Sequence, residues 1–189
     1  SGRFVFEGAS QKPPADFISI RLQLVARDNF ETAGNGVPGT IHTATVSADG
    51  TFRVDGLPPD RYVAVASWPG MRTGDGTAGW WLTTVRVGTR DFRDALIELP
   101  ASSDLRDVSL VYRDRIGSIE GTLTDAQNRP VPEYFVLAFP TDRASWSAAS
   151  QRIPPPARPG TDGHFRLIGL PAGEYFVAVV TTMDQDDHT

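Results

Sequence analysis

The sequence predicts an all-β chain made of two tandem β-sandwich domains with Greek-key connections, and three observations carry this prediction. Short apolar and β-branched runs alternate with turns rich in Gly, Pro and Asp, as they do in sandwich folds. No segment combines sustained helical periodicity with helix caps. A long segment also occurs twice along the chain, which predicts two copies of one structural unit.

The repeated segment begins with an Asp-Gly dipeptide and ends in an aromatic run. The two copies are DGTFRVDGLPPDRYVAV at 49–65 and DGHFRLIGLPAGEYFVA at 162–178. Asp-Gly favours a tight turn, and the proline of the following Gly-Leu-Pro step interrupts strand pairing. Each copy therefore predicts a short strand, a turn and a buried central strand. We expect Phe52 and Phe165 to occupy equivalent buried positions, and likewise Tyr62 and Tyr175.

Further β runs complete the two predicted domains, 1–115 and 116–189. The opening strand at 2–6 shows a weaker correspondence to 121–124, with Gly2 matching Gly121, and a second run follows each of them at 17–25 and 134–139. The first domain contains three more runs, at 81–87, 95–99 and 108–112. The sequence has no counterpart of these three after Tyr175, so we expect the second sandwich to be incomplete at its C-terminus. Its missing strands would lie further along the polypeptide or come from another subunit by strand addition.

Composition excludes several classes of function. The net charge of -5 provides no broad basic surface for nucleic acid. The chain has no cysteine, so it forms neither disulfides nor thiolate metal sites. No apolar run has the length that a membrane-spanning helix needs, and the first residues do not form a signal peptide.

Three segments together resemble the carboxypeptidase regulatory-like domains of the transthyretin-like (prealbumin-like) β-sandwich group. They are IEGTL at 119–123, DAQNRPVP at 125–132 and the Asp-Gly-x-Phe…Gly-Leu-Pro-x-Gly-x-Tyr pattern of the repeat. The resemblance covers the second domain well and the first in part, because Asp60 replaces the glycine found at Gly173 and 28–39 forms a longer loop. It implies a transthyretin-like or Ig-like sandwich and a supporting role as an accessory module, not a reaction.

The residues that carry chemistry do not form a recognisable catalytic or metal-binding motif. The three histidines, His42, His164 and His188, have no metal-ligand spacing, and no Gly-x-Ser-x-Gly elbow occurs. Turn formation accounts for Asp49 and Asp162. The acidic clusters at 28–31 and 184–187 lack the spacing of calcium loops. Lys12, the one lysine that could form an isopeptide crosslink, lies in a segment whose composition is typical of a loop. We therefore predict no catalytic residue, no cofactor and no metal.

The tryptophans are the remaining candidates for a functional surface. Trp68, Trp80 and Trp146 could contact a ligand or a partner, since exposed aromatic rings stack on sugars or anchor proteins. Packing over the sandwich is the alternative for each of them. Trp80 and Trp81 are adjacent, so we expect one of the two to point outward or to cover an edge.

The leading hypothesis is a non-catalytic structural or interaction module of a larger exported bacterial cell-envelope or extracellular protein. Its partners would be neighbouring domains or subunits, bound through a strand edge or a sandwich face. The alternatives are a carbohydrate-binding accessory module that uses the tryptophans, a subunit of an extracellular assembly completed by strand addition, and a cryptic hydrolase. No nucleic acid and no membrane span are expected.

Overall fold

The computed structural model describes residues 1–26, 41–72, 78–92, 96–101, 104–146, 150 and 152–181. The chain divides into two compact units, Ser1–Arg115 and Ile116–Thr189. Strands dominate both units, and the helical structure in the described ranges consists of short 3-10 turns at Phe17–Ser19 and Arg143–Ser145. The prediction of an all-β sandwich fold is therefore confirmed.

The first unit contains two sheets. Within the described residues its strands are β1 Gly2–Glu7, β2 Arg21–Ala26, β3 Ile41–Thr43, β4 Thr45–Val46, β5 Thr51–Arg53, β6 Asp60–Ser67, β7 Trp81–Val87, β8 Arg90–Phe92, β9 Leu96–Leu99 and β10 Val108–Arg113. One sheet has the order β4-β5-β1-β10-β7-β8, and the other has the order β3-β2-β6-β9. Only β1 and β10 pair in parallel among these strands. The chain crosses repeatedly between the two sheets.

The core of the first unit lies between its two sheets. The first sheet contributes Phe4, Phe52, Val85, Leu110 and Tyr112, and the second contributes Leu22, Leu24, Tyr62, Ala64 and Ile97. Aromatic rings fill much of this space, since the Phe6 ring lies 5.0 Å from that of Trp80 and 5.6 Å from that of Tyr112. Burial raises the pKa of Tyr112 because the interior disfavours the charged phenolate.

A buried carboxylate anchors the loop that follows β1. Asp114 is only 8% exposed, and its Oδ2 accepts hydrogen bonds from the backbone N–H groups of Ser10 (2.5 Å) and Gln11 (3.0 Å). These bonds compensate for the desolvation of the charge. They join the end of β10 to the loop that leaves β1.

The described part of the second unit contains four strands in two facing pairs. The strands are β11 Gly117–Thr122, β12 Phe135–Pro140, β13 His164–Leu170 and β14 Tyr175–Val180. β11 pairs with β13, and β12 pairs with β14. Val136 and Ala138 of β12 pack against Leu167 and Leu170 of β13 in a small hydrophobic core.

The repeat adopts the same strand register in both units. In the first unit Gly2 of β1 faces Phe52 of β5, and in the second Gly121 of β11 faces Phe165 of β13. The hydrogen bonds that continue each ladder also match: the Phe4 N–H donates to the Gly50 carbonyl (3.0 Å), and the Leu123 N–H donates to the Gly163 carbonyl (2.9 Å). The sequence correspondence between the two opening strands is thus matched in the structure.

The turns of the repeat also share their side-chain contacts. Asp49 Oδ1 accepts from the Thr51 N–H, and Asp162 Oδ1 accepts from the His164 N–H, each at 3.0 Å. The glycine that follows each aspartate has φ of 78°, which explains why this position needs glycine. A tyrosine hydroxyl closes each copy, because Tyr62 donates to the Pro58 carbonyl (2.8 Å) and Tyr175 donates to the Pro171 carbonyl (2.7 Å).

One local expectation was wrong, and one was met. The run at 17–25 begins as a 3-10 turn rather than a strand, because Asp16 caps it by accepting from the Ile18 N–H (3.0 Å). In the second copy the proline does interrupt pairing, since β13 ends at Leu170, directly before Pro171. Gly169, with φ of 91°, lies at the register shift and forms a bulge in this strand.

Burial differs between the copies although the register does not. Phe52 and Tyr62 are 6% and 1% exposed, so the expectation is met in the first unit. Phe165 and Tyr175 are only partly buried against the second core, so the expectation of equal burial was wrong. In the first unit β10 lies beside β1, whereas β11 has β13 as its one strand neighbour in the described residues.

We predict that Tyr62→Phe and Tyr175→Phe each lower the free energy of unfolding by about 1 kcal/mol, the ordinary contribution of one hydrogen bond. Each change removes one hydroxyl donor and leaves its ring in place. Urea denaturation of the two variants and the wild type gives the comparison. Unchanged stability in both variants would show that the shared hydroxyl contact does not contribute to the free energy of unfolding.

Candidate functional site

Trp68 and Trp80, two of the three candidate tryptophans, lie in the core of the first unit. They are 8% and 2% exposed. The Trp68 ring packs 5.2 Å from that of Tyr112, and Trp80 Nε1 donates to the Lys12 carbonyl at 3.3 Å. Packing is therefore their role in this structure, and neither presents its ring to a ligand.

Trp81 is buried as well, so neither member of the adjacent pair points outward, which was one of the two expected arrangements. Trp81 is the first residue of β7 and is 7% exposed. The Arg72 guanidinium carbon lies 5.9 Å from the centre of its ring. A cationic side chain that covers one face of the indole allows it to be buried away from the main core.

Trp146 is the exposed member of the three, with 46% of the residue accessible to solvent. It follows the 3-10 turn Arg143–Ser145, and its Nε1 donates to the Pro140 carbonyl at 2.7 Å, which fixes the ring orientation. Its ring meets that of Phe139 edge-on at 5.1 Å, and the Phe139 ring lies 5.6 Å from that of Phe176. The Arg143 guanidinium carbon is 5.5 Å from the Trp146 ring centre. We call Phe139, Trp146 and Phe176 the aromatic patch.

The candidate histidines are not brought together. His42 of β3 packs edge-on to the Tyr62 ring at 5.8 Å, and His164 is an exposed residue of β13. His188 and the acidic clusters at 28–31 and 184–187 lie outside the described residues. Among the residues that are described, no group of three or more His, Cys, Asp or Glu side chains could hold a metal ion.

The turn carboxylates serve as hydrogen-bond acceptors. The Thr51 hydroxyl and backbone N–H lower the pKa of Asp49, and the Arg129 backbone and side chain lower the pKa of Asp125. A lowered pKa keeps each carboxylate ionised, which is the opposite of what a general acid near neutral pH requires. Lys12 is an exposed loop residue between β1 and the Phe17–Ser19 turn.

A cavity of about 480 Å³ in the first unit was not predicted. Its apolar lining comes from both sheets and includes Leu24, Phe52, Tyr62, Ile97, Leu99 and Val108. Two exposed ion pairs, Arg53 with Asp55 and Arg106 with Asp104, lie at its rim. This arrangement could admit a small apolar group beneath a charged rim. The lining residues come from widely separated segments, so no local sequence pattern could have indicated the cavity.

The comparisons with known proteins place few constraints on function. No protein-family model matches the sequence, and no curated protein does. Among solved structures, the chain is similar to the C-terminal fragment of the pilus adhesin SpaC from Lactobacillus rhamnosus GG. The identity is 12% and the TM-score 0.24, over 98% of this chain and 78% of that chain. A likeness at this TM-score carries no argument about function. No helix in the described ranges is long and apolar enough to cross a membrane.

We predict that Asp125→Asn destabilises the protein near neutral pH but not in strong acid. Because the folded state lowers the pKa of Asp125, the ionised carboxylate stabilises the fold at pH values above its ordinary pKa of 3.8. This stabilisation is lost as the pH falls through the lower pKa of the folded state. Urea denaturation of variant and wild type near pH 7 and near pH 2 measures the difference.

Asp104→Asn is the matched control, because it removes a carboxylate from an exposed ion pair of small expected effect. A deficit of Asp125→Asn that stays equal at the two pH values would contradict the assignment of ionised Asp125 as the turn acceptor.

Proposed function

We propose that this chain is a non-catalytic structural and interaction module of a larger exported bacterial cell-envelope or extracellular protein, built from two domains, 1–115 and 116–189. The observation that carries the proposal is the shared geometry of the repeat. Both units use the same Asp-Gly turn, glycine–phenylalanine pair and tyrosine hydroxyl contact. A second copy of a scaffold extends the chain and adds surface for display, and the shared fold by itself implies no reaction.

The use of the polar side chains supports the same proposal. Asp114 anchors a loop, and Asp49, Asp125 and Asp162 accept backbone N–H groups in turns. These carboxylates already stabilise the backbone, which leaves them poorly placed for proton transfer. The resemblance to carboxypeptidase regulatory-like domains agrees with a supporting role, and membership of that family is part of the proposal.

We predict that the chain is accessible at the surface of intact cells of the source bacterium. A brief treatment of intact cells with trypsin should release tryptic peptides of this chain into the medium, where mass spectrometry identifies them. A cytoplasmic protein of similar abundance is the control for lysis. Recovery of the chain only after cell disruption, together with that control protein, would refute an exported surface module.

A carbohydrate-binding module is the second candidate, and the exposed ring of Trp146 is the observation that favours it. Aromatic rings at such sites stack on the apolar faces of sugars. The Arg143 side chain over this ring and the edge contact with Phe139 reduce the free stacking surface, so the aromatic patch is a small platform for an extended glycan.

Under the leading proposal we expect no saturable binding of the wild type to an array of cell-wall and plant oligosaccharides. Trp146→Ala tests the alternative, and Ile153→Ala, which alters another exposed apolar residue of the same unit, is its matched control. Binding that Trp146→Ala abolishes and Ile153→Ala preserves would favour the carbohydrate module instead.

A further inference from the structure

The cavity of the first unit has a floor of buried apolar side chains. Its volume is about 480 Å³, which lies within the range of ligand pockets in proteins. The floor residues come from both sheets and are at most 6% exposed, and they are Leu24, Phe52, Tyr62, Ile97 and Val108. Such a lining offers water few hydrogen-bonding partners. A small apolar molecule that enters the cavity leaves water for a surface of matching polarity, which is favourable.

Contacts outside the cavity hold the two aromatic rings of the floor in place. The Phe52 ring packs against the Phe4 ring, with 5.5 Å between their centres. The Tyr62 hydroxyl donates to the Pro58 carbonyl at 2.8 Å, and the His42 ring meets the Tyr62 ring edge-on at 5.8 Å. The protein itself thus positions both rings, and a ligand would not have to order them.

Half-buried apolar side chains continue the lining beyond the floor. They are Val54 and Leu57 after β5, Leu99 at the end of β9, and Leu105 before β10. Each of them also packs against the core of the first unit. These side chains provide contacts for an apolar body larger than the floor alone could cover.

The charges at the rim of the cavity cancel. Arg53 Nε lies 2.8 Å from Asp55 Oδ1, and Arg106 Nη2 lies 3.4 Å from Asp104 Oδ2. The hydrogen bond to Asp55 and the charge of Asp55 raise the pKa of Arg53, and the charge of Asp104 adds to this effect. The two ion pairs therefore interact with each other. A ligand ion would have to compete with one of these pairs, whereas an uncharged ligand would not.

The cavity depends on strands that the repeat does not contain. β9 supplies Ile97 and Leu99, and the segment that leads into β10 supplies Leu105, Arg106 and Val108. The described strands of the second unit include no counterpart of β9 or β10. The repeat alone thus does not produce the cavity, which is a separate feature of the first unit.

We propose that this cavity binds a small uncharged molecule with an aliphatic or aromatic apolar body. The body lies against the floor, and a hydroxyl group, where the ligand has one, lies at the rim among the ion pairs. The inference goes beyond the proposed function, because a structural and interaction module needs no small-molecule ligand.

The test uses the full chain and a neutral fluorescent probe, N-phenylnaphthylamine, whose emission rises in apolar surroundings. We expect a saturable rise that corresponds to one site per chain. Octanol should displace the probe. Octanoate and octyltrimethylammonium carry the same alkyl chain with a negative or a positive head. Each should displace the probe at least about threefold less effectively, because a head with a net charge competes with the ion pairs of the rim.

Two leucine variants locate the site. Leu99→Trp fills part of the cavity with a larger side chain and should weaken binding of the probe at least about tenfold. Leu82→Trp is the matched control, because Leu82 of β7 is also partly buried against the same core but does not line the cavity. It should change the affinity by less than about twofold. Urea denaturation shows whether both variants are folded.

A measurement on the unaltered protein keeps the test independent of folding. In methyl-labelled wild type, NMR should detect nuclear Overhauser effects between the octanol chain and the methyl groups of Leu24 and Ile97. The exposed apolar residues of β14 are another surface to which the probe could adhere. Phe176→Lys removes one of these residues and should leave the affinity for the probe unchanged.

Absence of saturable probe binding would overturn the inference. Equal weakening by the two leucine variants, or equal displacement by the charged and uncharged octyl compounds, would do so as well. Overhauser effects confined to residues outside the cavity, or loss of binding in Phe176→Lys, would assign the probe to another surface and also refute it. None of these results bears on whether the chain is exposed at the cell surface.

Discussion

The cross-strand pair of glycine and phenylalanine is the constraint on which both units depend. A Cβ atom on Gly2 would lie 2.6 Å from Cζ of Phe52, and one on Gly121 would lie 2.9 Å from Cζ of Phe165. Each aromatic ring therefore occupies the space that a side chain on the facing strand would need. This contact favours one register between the opening strand and the strand after the Asp-Gly turn. A slip of one residue would place the ring on the outer face of the sheet and a side chain against it.

The same pair produces different burial because burial depends on the neighbouring strands. Phe52 is 6% exposed in a unit where β10 lies beside β1, and Phe165 is only partly buried where the described residues provide no such strand. Local geometry is thus a property of the repeat, whereas protection from water is a property of the whole sheet. The hydrophobic contribution of a buried phenylalanine is proportional to the area removed from water, so the two copies contribute unequally to stability.

Sequence patterns predicted the features that arise from short-range chemistry. The strand at 81–87 has its predicted ends, and the Asp-Gly turns have the expected left-handed glycines. The misses involve competing interactions that composition does not reveal. The Asp16 cap replaced the start of a strand by a 3-10 turn, and Arg72 covered Trp81, so neither of two adjacent indoles needed to face water. Of the candidate tryptophans, Trp146 alone is exposed, because the others fill the space between two sheets that only the folded chain brings together.

The distribution of polar and apolar groups explains why strand surfaces, rather than polar side chains, carry the proposed function. In the described residues the turn carboxylates accept N–H groups, and the tyrosine hydroxyls of the repeat donate to carbonyls, so these groups already stabilise the backbone. Three of the large apolar side chains that are exposed in the described residues lie on β14, namely Phe176, Val177 and Val179, each about half exposed. Covering such residues with the apolar surface of a partner releases free energy in proportion to the area removed from water. A flat apolar face of a partner protein supplies such surface, which a small polar ligand cannot do.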